Sequence, residues 1–312
     1  MATDIAKTTE RAEGPGAALG RGLGALKAVW DFSRRKPLGG ISLLIIVVFL
    51  LAAIFAPLIA PWDPKRLYPG AALAGVWSHP VPNGPPFILG GDAAGRDTFS
   101  RIVFGARIAF LVGVLATAIG VSLGTTLGLV CGYAGGKLDL FVQRGIDSLM
   151  AFPALILALV IMSLLGVEVR NVIIAIGVVL VPITTRIVRG AVLSVKENLY
   201  VDASRAIGAG ASRIILYHIL PNVAHAILIV VATYLGSAIL TEASLSFLGV
   251  GVPPGTPTWG NMIAGAGRAY MIQKPVLLWG PAIALSAIVM SFNLLGDALR
   301  DVWDPRLRGT QK

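Results

Sequence analysis

Apolar residues in this chain come in long uncharged runs rather than at the short periods of a water-soluble domain. A helix needs about 20 mostly apolar residues to cross the hydrocarbon core of a bilayer. Six segments approach or exceed that length: 41–60, 106–134, 148–166, 172–188, 222–248 and 275–296. The pattern predicts an all-α, polytopic membrane protein with about six transmembrane helices.

Two of the six segments depart from the ordinary length or composition. Segment 106–134 is long for one span but too short for two spans and a turn, so it predicts a single tilted helix. Segment 172–188 is the shortest and contains Arg186 near its end. An arginine there can extend to the headgroups, so the segment is still predicted to span the membrane.

The distribution of positive charge predicts the orientation of these spans. Six spans place both termini on one side, which then carries 18 of the 26 Lys and Arg residues; the opposite side carries the other 8. Because cytoplasmic loops are enriched in Lys and Arg, both termini are predicted to be cytoplasmic. Residues 1–40 are predicted to form a basic N-terminal tail without a cleavable signal, since the first apolar run begins too late for one. Residues 309–312 form a short C-terminal tail.

Composition supports the membrane assignment and argues against several other functions. The chain is 55% hydrophobic and 13% charged, against about 25% charged residues in a typical soluble domain. Its net charge of +10 is not gathered into a basic patch with interleaved aromatic residues, so nucleic-acid binding is not predicted. The single cysteine, Cys131, cannot form an intrachain disulfide and is predicted to be a packing residue.

Sequence motifs for catalysis or cofactor binding are lacking. There is no Gly-x4-Gly-Lys-Ser/Thr phosphate loop, so the chain is not predicted to bind ATP itself. The three histidines lie at poor ligand spacing or on different sides of the membrane, which argues against a metal site. No Ser or Cys is tied by a motif to a His and an acid, so a catalytic triad is not predicted either.

Four glycines in the second predicted span share one helix face. They recur every four residues, at Gly120, Gly124, Gly128 and Gly132. Small residues on one face let two helix backbones approach closely. The stripe predicts helix packing, with a pore-lining role as the alternative.

The segment between the fourth and fifth spans, residues 199–221, has helical periodicity rather than the composition of a loop. It predicts a first short helix that ends at Gly208 and a second that begins with Ser212 as N-cap and ends at Leu220, with Pro221 opening the fifth span. A stiff hairpin of this kind could transmit force from a soluble partner into the membrane. An amphipathic connector on the lipid surface explains the periodicity equally well.

The hairpin resembles the Glu-Ala-Ala loop of ABC importer permeases, which carries a Gly four positions after its second Ala and a Leu-Pro pair a dozen residues later. The matching positions are Asp202, Ala203, Ser204, Gly208, Leu220 and Pro221. Asp202 replaces the family's Glu and keeps its charge, Ser204 replaces an Ala, and His218 occupies a position where Ile is usual.

Three further stretches narrow the resemblance to dipeptide, oligopeptide and nickel permeases. They are the outward segment 89–107, the fifth span and its exit at 242–260, and the C-terminal segment 292–307. The resemblance extends over residues 41–308 and is to the second, C-type membrane subunit of these importers. It implies the type I permease fold for residues 41–308.

This resemblance also implies a function and a set of partners. The chain would form half of the translocation pathway for di- or oligopeptides in a bacterial inner membrane, as a non-catalytic subunit without a cofactor of its own. Its partners would be a related second permease, an extracytoplasmic substrate-binding protein, and two ATPase subunits that bind ATP and Mg. The hairpin would dock on an ATPase at Gly208. The same machinery importing nickel, glutathione or another small solute is the alternative.

Glu242 is the one carboxylate inside a predicted span, and an acid in that position is a functional candidate by default. It is predicted either to act in gating or to make a packing contact, for example with an Arg. A secondary transporter or channel without an ATPase would show inverted repeats and several buried charges, and the sequence shows neither. A further alternative is a non-transport scaffold or receptor whose hairpin lies on the lipid surface. Such a protein would need no polar, Gly-lined pore.

Overall fold

The computed structural model describes Trp30 and residues 32–34, 36–82 and 84–303. Within these ranges the secondary structure is helical, apart from two isolated bridges, Ser78–Phe87 and Gly91–Asp97. The helices are α1 (Pro37–Ile54), α2 (Ala56–Ile59), α3 (Thr98–Ala134), α4 (Gly136–Met150), α5 (Ala154–Leu165), α6 (Val169–Val195), α7 (Leu199–Ala206), α8 (Ala211–Ile214), α9 (Leu220–Phe247), α10 (Trp259–Met262) and α11 (Val276–Trp303).

The all-α, polytopic fold is confirmed. In the described part of the chain, five helices are long and apolar enough to cross a membrane: Pro37–Ile54, Thr98–Ala134, Val169–Val195, Ala211–Phe247 and Val276–Val302. Helices α4 and α5 together form a sixth, bent candidate. The predicted N-terminal tail and the stretch after Trp303 lie outside the described residues, apart from the few positions near Lys36.

The third predicted span, residues 148–166, is not one continuous helix in the structure. Helix α4 ends at Met150, and α5 leaves it at 90° after the break at 151–153. Pro153 has no N–H to donate and disfavours helical geometry at the residue before it, so the helix ends here. Helix α5, at 12 residues, is about 18 Å long and too short to cross the bilayer core alone.

The second arm of the hairpin also differs from the prediction. The helix does not end at Leu220: residues Ala211–Phe247 form one continuous span of 37 residues. A π-helical turn, Ile215–Ile219, ends two residues before Pro221, and such a turn is one way in which a helix accommodates a proline. The N-cap position belongs to Gly210, and Ser212 lies inside the helix instead of capping it.

The glycine stripe of α3 faces α6 along its length. A Cβ atom built on any of the four glycines would lie 2.5–2.8 Å from a side-chain carbon of α6, too close for a real contact. The α6 residues concerned recur with the same spacing and are Leu180, Thr184, Val188 and Val192. The two helices therefore form a close-packed pair, as expected where small residues let backbones approach.

Helices α1 and α9 pack on this pair, α1 against α3 and α9 against both helices. Helix α11 packs on α1 and α9, and Ile288 and Phe292 are buried in the cluster that joins them. We call the end of the bundle that carries residues 199–221 the hairpin end, and the opposite end, which carries residues 60–97, the loop end.

Candidate functional site

The hairpin of residues 199–221 is anchored to the bundle by a hydrophobic cluster. Val201 of α7, Ile214 of α8 and Ile219 of the π turn are all fully buried. Their buried neighbours on the membrane helices are Leu129 of α3, Val188 and Val192 of α6, and Val223 of α9. Both arms of the hairpin are therefore packed on the α3–α6 pair, so that the hairpin is a rigid extension of the bundle.

Polar contacts reinforce this anchorage where α6 leads into the hairpin. The Lys196 ammonium donates to the Gly132 carbonyl oxygen at 2.9 Å. The Arg205 guanidinium lies 5.2 Å from the centre of the Tyr133 ring and donates to Asp202 Oδ1 at 3.0 Å. The close approach of Tyr133, and after it the attraction of Asp202, raises the pKa of Arg205 above its usual value.

Gly208 forms the exposed turn at the tip. Its φ is +83°, in the left-handed region that favours glycine, and a Cβ there would meet no atom within 4 Å. Its N–H donates to the Arg205 carbonyl, and the next N–H, from Ala209, donates to the Ser204 carbonyl. The turn thus closes α7 and leaves an open surface of bare backbone at its end.

The six hairpin positions that match the Glu-Ala-Ala loop differ in their exposure to solvent. Asp202, Ala203 and Gly208 are exposed, whereas Ser204 is buried and its hydroxyl donates back to the Tyr200 carbonyl at 2.8 Å. Ser204 in place of Ala is therefore satisfied within α7 and leaves the hairpin surface unchanged. Leu220 is half-buried and Pro221 exposed, both within the continuous helix instead of at its start.

The outward surface of the hairpin carries large apolar side chains among its charged ones, which the motif in the sequence did not indicate. Ile207 is 86% and Leu199 87% exposed, and Tyr217 is also exposed. Large apolar side chains gathered on an exposed surface indicate a protein or membrane contact. The short helices obscure this pattern in the sequence, because α7 and α8 present less than three turns each.

Glu242 is held within the bundle. It is 1% exposed, and the Ser246 hydroxyl, one turn later in α9, donates to its Oε1 at 2.8 Å. Ser246 in turn accepts a 3.4 Å bond from the Val252 N–H in the turn after α9. The contact partner is thus a serine and not an arginine.

A groove runs beside Glu242 between α5, α9 and α11. It has a volume of about 340 Å³, and its walls include Leu155, Leu240, Ser244 and Leu285. Glu242 does not line it; the neighbouring Ala243 and Ser244 do. The structure therefore places the acid behind the groove wall, where it ties α9 to the following turn.

The loop end contains a charged residue of the segment 89–107 whose burial was not predicted from the sequence. Arg101, in the first turn of α3, is 3% exposed and donates to the Pro64 carbonyl at 3.0 Å. Asp92 lies 3.6 Å from its Nε and also accepts from Arg96 at 2.7 Å. Arg101 thus joins the segment 60–97 to the membrane helix.

Asp97 caps the start of α3. Its Oδ2 accepts from the Ser100 N–H at 2.8 Å, an arrangement typical of helix N-caps. Burial raises the pKa of the Asp97 carboxyl, while its hydrogen bonds from Ser100 and Phe99 oppose that shift. The Trp259 indole completes the attachment by donating to the Ile102 carbonyl at 3.0 Å.

Comparison with known proteins assigns the chain to a class. Residues 124–309 match the family described as binding-protein-dependent transport system inner membrane component. Residues 25–86 match the N-terminal TM domain of oligopeptide transport permease C. The chain belongs to this family: it is the non-catalytic, multi-pass permease subunit of an ABC importer of the oligopeptide permease C type, which confirms the resemblance.

Individual relatives carry more specific names. The glutathione transport system permease protein GsiD of Escherichia coli O6:K15:H31 (strain 536 / UPEC) is 39% identical over 282 residues, 90% of each chain. GsiD of Shigella boydii serotype 4 (strain Sb227) matches to the same extent. Among solved structures, the MetNI methionine ABC transporter in an inward-facing conformation aligns with 62% of this chain and 91% of that chain, at 20% identity and a TM-score of 0.49.

Proposed function

We propose that this chain forms one half of the translocation pathway of an ATP-driven importer for small peptides, and that its hairpin couples the pathway to an ATPase subunit. The observation that carries the coupling is the hairpin itself. It is rigidly anchored by buried residues such as Ile214, and yet presents an apolar tip around Ile207 and Gly208 to its surroundings. A connector that lay on lipid would need no such anchorage.

The proposed assembly contains four kinds of subunit. A related permease completes the pathway, two ATPases bind ATP and Mg at the hairpin end, and an extracytoplasmic binding protein delivers substrate at the loop end. The hairpin end must then face the cytoplasm, because ATP is there. The excess of Lys and Arg predicted for that side agrees with this orientation, in a bacterial inner membrane with both termini cytoplasmic.

The continuous helix over Ala211–Phe247 supplies the mechanical link. Its first turns belong to the hairpin, and its last turns, including Leu240 and Ser244, form a wall of the groove between α5, α9 and α11. At 37 residues it is about 55 Å long. ATP-driven displacement of the hairpin would therefore tilt the groove wall directly, which switches the pathway between inward and outward access.

The substrate class is proposed from the relatives. Glutathione, the compound in the name of GsiD, is itself a short peptide, and the match to the N-terminal domain of oligopeptide transport permease C also supports the proposal of a peptide substrate. Short peptides, with glutathione among them, are therefore proposed ahead of nickel complexes. Transport of radiolabelled dipeptide, glutathione and nickel by the reconstituted transporter with its binding protein tests this. Uptake of nickel alone would contradict the proposal.

Co-purification tests the proposed assembly. Tagged chain is purified from detergent-solubilised membranes, and the proteins that accompany it are identified and assayed for ATP hydrolysis. A related permease together with an ATPase is expected. A chain that purifies alone, with no ATPase activity in any fraction, would instead favour a secondary transporter.

A further inference from the structure

Two arginine–aspartate pairs attach α4 to α6. Of the 15 residues of α4, only Ile146 is buried, so apolar packing contributes little to the position of this helix. Arg189 contacts Asp139, near the start of α4, and Arg186 contacts Asp147, near its end. The orientation of α4 against α6 therefore depends on these polar contacts.

The pair between Arg189 and Asp139 is the better formed of the two. Both Nε and Nη2 of Arg189 donate to Asp139, each at 2.6 Å, to separate carboxylate oxygens. The side chains are 29% and 14% exposed, whereas both members of the Arg186–Asp147 pair are about half-exposed and share a single contact. A forked, partly shielded pair fixes both distance and angle, whereas an exposed single contact contributes little.

Arg189 lies on the part of α6 that carries the hairpin. Val188 and Val192, its neighbours on α6, belong to the cluster that buries Val201 and Ile214 of the hairpin. The backbone of Arg189 itself packs against the glycine stripe of α3. A displacement of the hairpin must therefore move Arg189 with it.

Helix α4 connects the Arg189–Asp139 pair to the groove between α5, α9 and α11. It ends at the 90° bend of residues 151–153, and α5 follows with Leu155 in the wall of the groove and Leu240 of α9 opposite. The groove thus has one wall on α9, which the hairpin moves directly, and another at the start of α5, which continues from the bend after α4. Farther along α5, Ala158 and Met162 pack directly on α6.

We propose that Arg189 and Asp139 are positioning residues for transport, which pass the displacement of the hairpin through α4 and its bend to α5. This inference rests on the proposed coupling function of the hairpin. With the pair intact, both walls of the groove move together during the ATP cycle. Without it, α9 moves while the start of α5, which carries Leu155, lags, so that ATP is hydrolysed without a matching opening of the groove.

The test uses the complete transporter, with its partner subunits, in lipid nanodiscs and proteoliposomes. Asp139→Asn and Arg189→Gln each remove the pair, and the double variant D139R/R189D reverses it. Asp301→Asn is the matched control, because it removes the Lys36–Asp301 ion pair at the same end of the bundle, which contacts neither α4 nor α6. The readouts are substrate transported per ATP hydrolysed and thermal stability.

The proposal predicts that each single variant lowers transport per ATP by about tenfold, within the usual range of a coupling free energy, while substrate-stimulated hydrolysis stays within about twofold. The reversed pair restores part of the loss, and Asp301→Asn has no effect. A merely structural role would lower transport and hydrolysis together, in proportion to the loss of folded protein. That result, or normal transport per ATP in Asp139→Asn, would overturn the inference.

A second experiment measures the angle of the bend between α4 and α5. Spin labels on the exposed positions Arg144 of α4 and Ser163 of α5, in a Cys131→Ala background, report the angle between the helices. Their separation should change on ATP binding in the parent protein and stay constant in Asp139→Asn. If Gly208→Glu disrupts ATPase coupling but Asp139→Asn changes neither readout, only this inference fails; if Gly208→Glu is also silent, the coupling function itself fails.

Discussion

The two ends of the bundle are held together by opposite kinds of contact. At the hairpin end, buried aliphatic residues such as Ile214 and Val201 form the joint, and an apolar tip remains exposed. At the loop end, buried charged groups form the joint, with Arg101 and Asp92 at its centre. The aliphatic joint fixes the hairpin to α3 and α6 by close packing, whereas the network at the loop end fixes the segment 60–97 by directional hydrogen bonds. The difference fits a hairpin that moves together with α6 and a loop end that serves as a frame.

Arg101→Ala should produce the largest effect, at the loop end. It removes the buried guanidinium that joins Pro64 and Asp92 to α3, and truncating one partner of a buried charged pair costs about 3–5 kcal/mol. Thermal unfolding of the detergent-solubilised protein measures it. Arg205→Ala is the hairpin-end counterpart: its ion pair with Asp202 is exposed, so the loss should stay below about 1 kcal/mol. Equal losses would remove the distinction between the two ends.

The second-largest effect is expected for Ile214→Ala, which tests the aliphatic joint at the hairpin end. Ile214 is fully buried in the hairpin cluster, and truncation of such a residue costs about 2–5 kcal/mol. Ile207→Ala, on the exposed tip, should leave the unfolding temperature unchanged and instead weaken ATPase binding in a pull-down titration. The comparison fails if Ile207→Ala destabilises the protein as much as Ile214→Ala does.

The smallest effect is expected for Asp97→Asn. Burial raises the pKa of this carboxyl in the folded protein, so folding favours the protonated form, and that contribution is lost as pH rises through the folded-state pKa. Asparagine can still accept from the Ser100 N–H and cap α3. The variant should therefore match the parent within about 1 kcal/mol and show a flatter dependence of stability on pH. Thermal melts across about pH 4 to 7 measure this dependence. A steeper dependence of stability on pH in Asp97→Asn would contradict the raised pKa of Asp97.

The parts of the structure that could be predicted from sequence are those set by local patterns. Apolar runs located the spans, and the four-residue spacing of Gly120 to Gly132 indicated the face that meets α6. The bend before Pro153 and the π turn before Pro221 were missed, because hydropathy does not report how a helix responds to a proline. Burial of Arg101 was missed because it depends on Asp92 and Pro64, which reach it only through the fold of the loop end.

The candidate functional site also combines features that were predictable from the sequence with features that were not. The hairpin and its turn at Gly208 could be located from the motif, because they are contiguous in the chain. The Arg189–Asp139 pair joins residues 50 positions apart, and neither residue stands out from its neighbours in the sequence. Ser246, the hydrogen-bond partner of Glu242, lies only one helical turn away in the sequence. The burial of Glu242 could not be predicted in this way, because it depends on α10 and on the turn after α9.

The most direct test of the account is Gly208→Glu, assayed for binding of the ATPase and for substrate-stimulated ATP hydrolysis in the assembled transporter. Gly70→Glu is the matched control, because Gly70 also has positive φ and open space around it but lies at the loop end. The account predicts that Gly208→Glu inserts normally and abolishes both binding and stimulation, while Gly70→Glu retains the bound ATPase. Normal binding and stimulation in Gly208→Glu would contradict the claim that the hairpin is the coupling element.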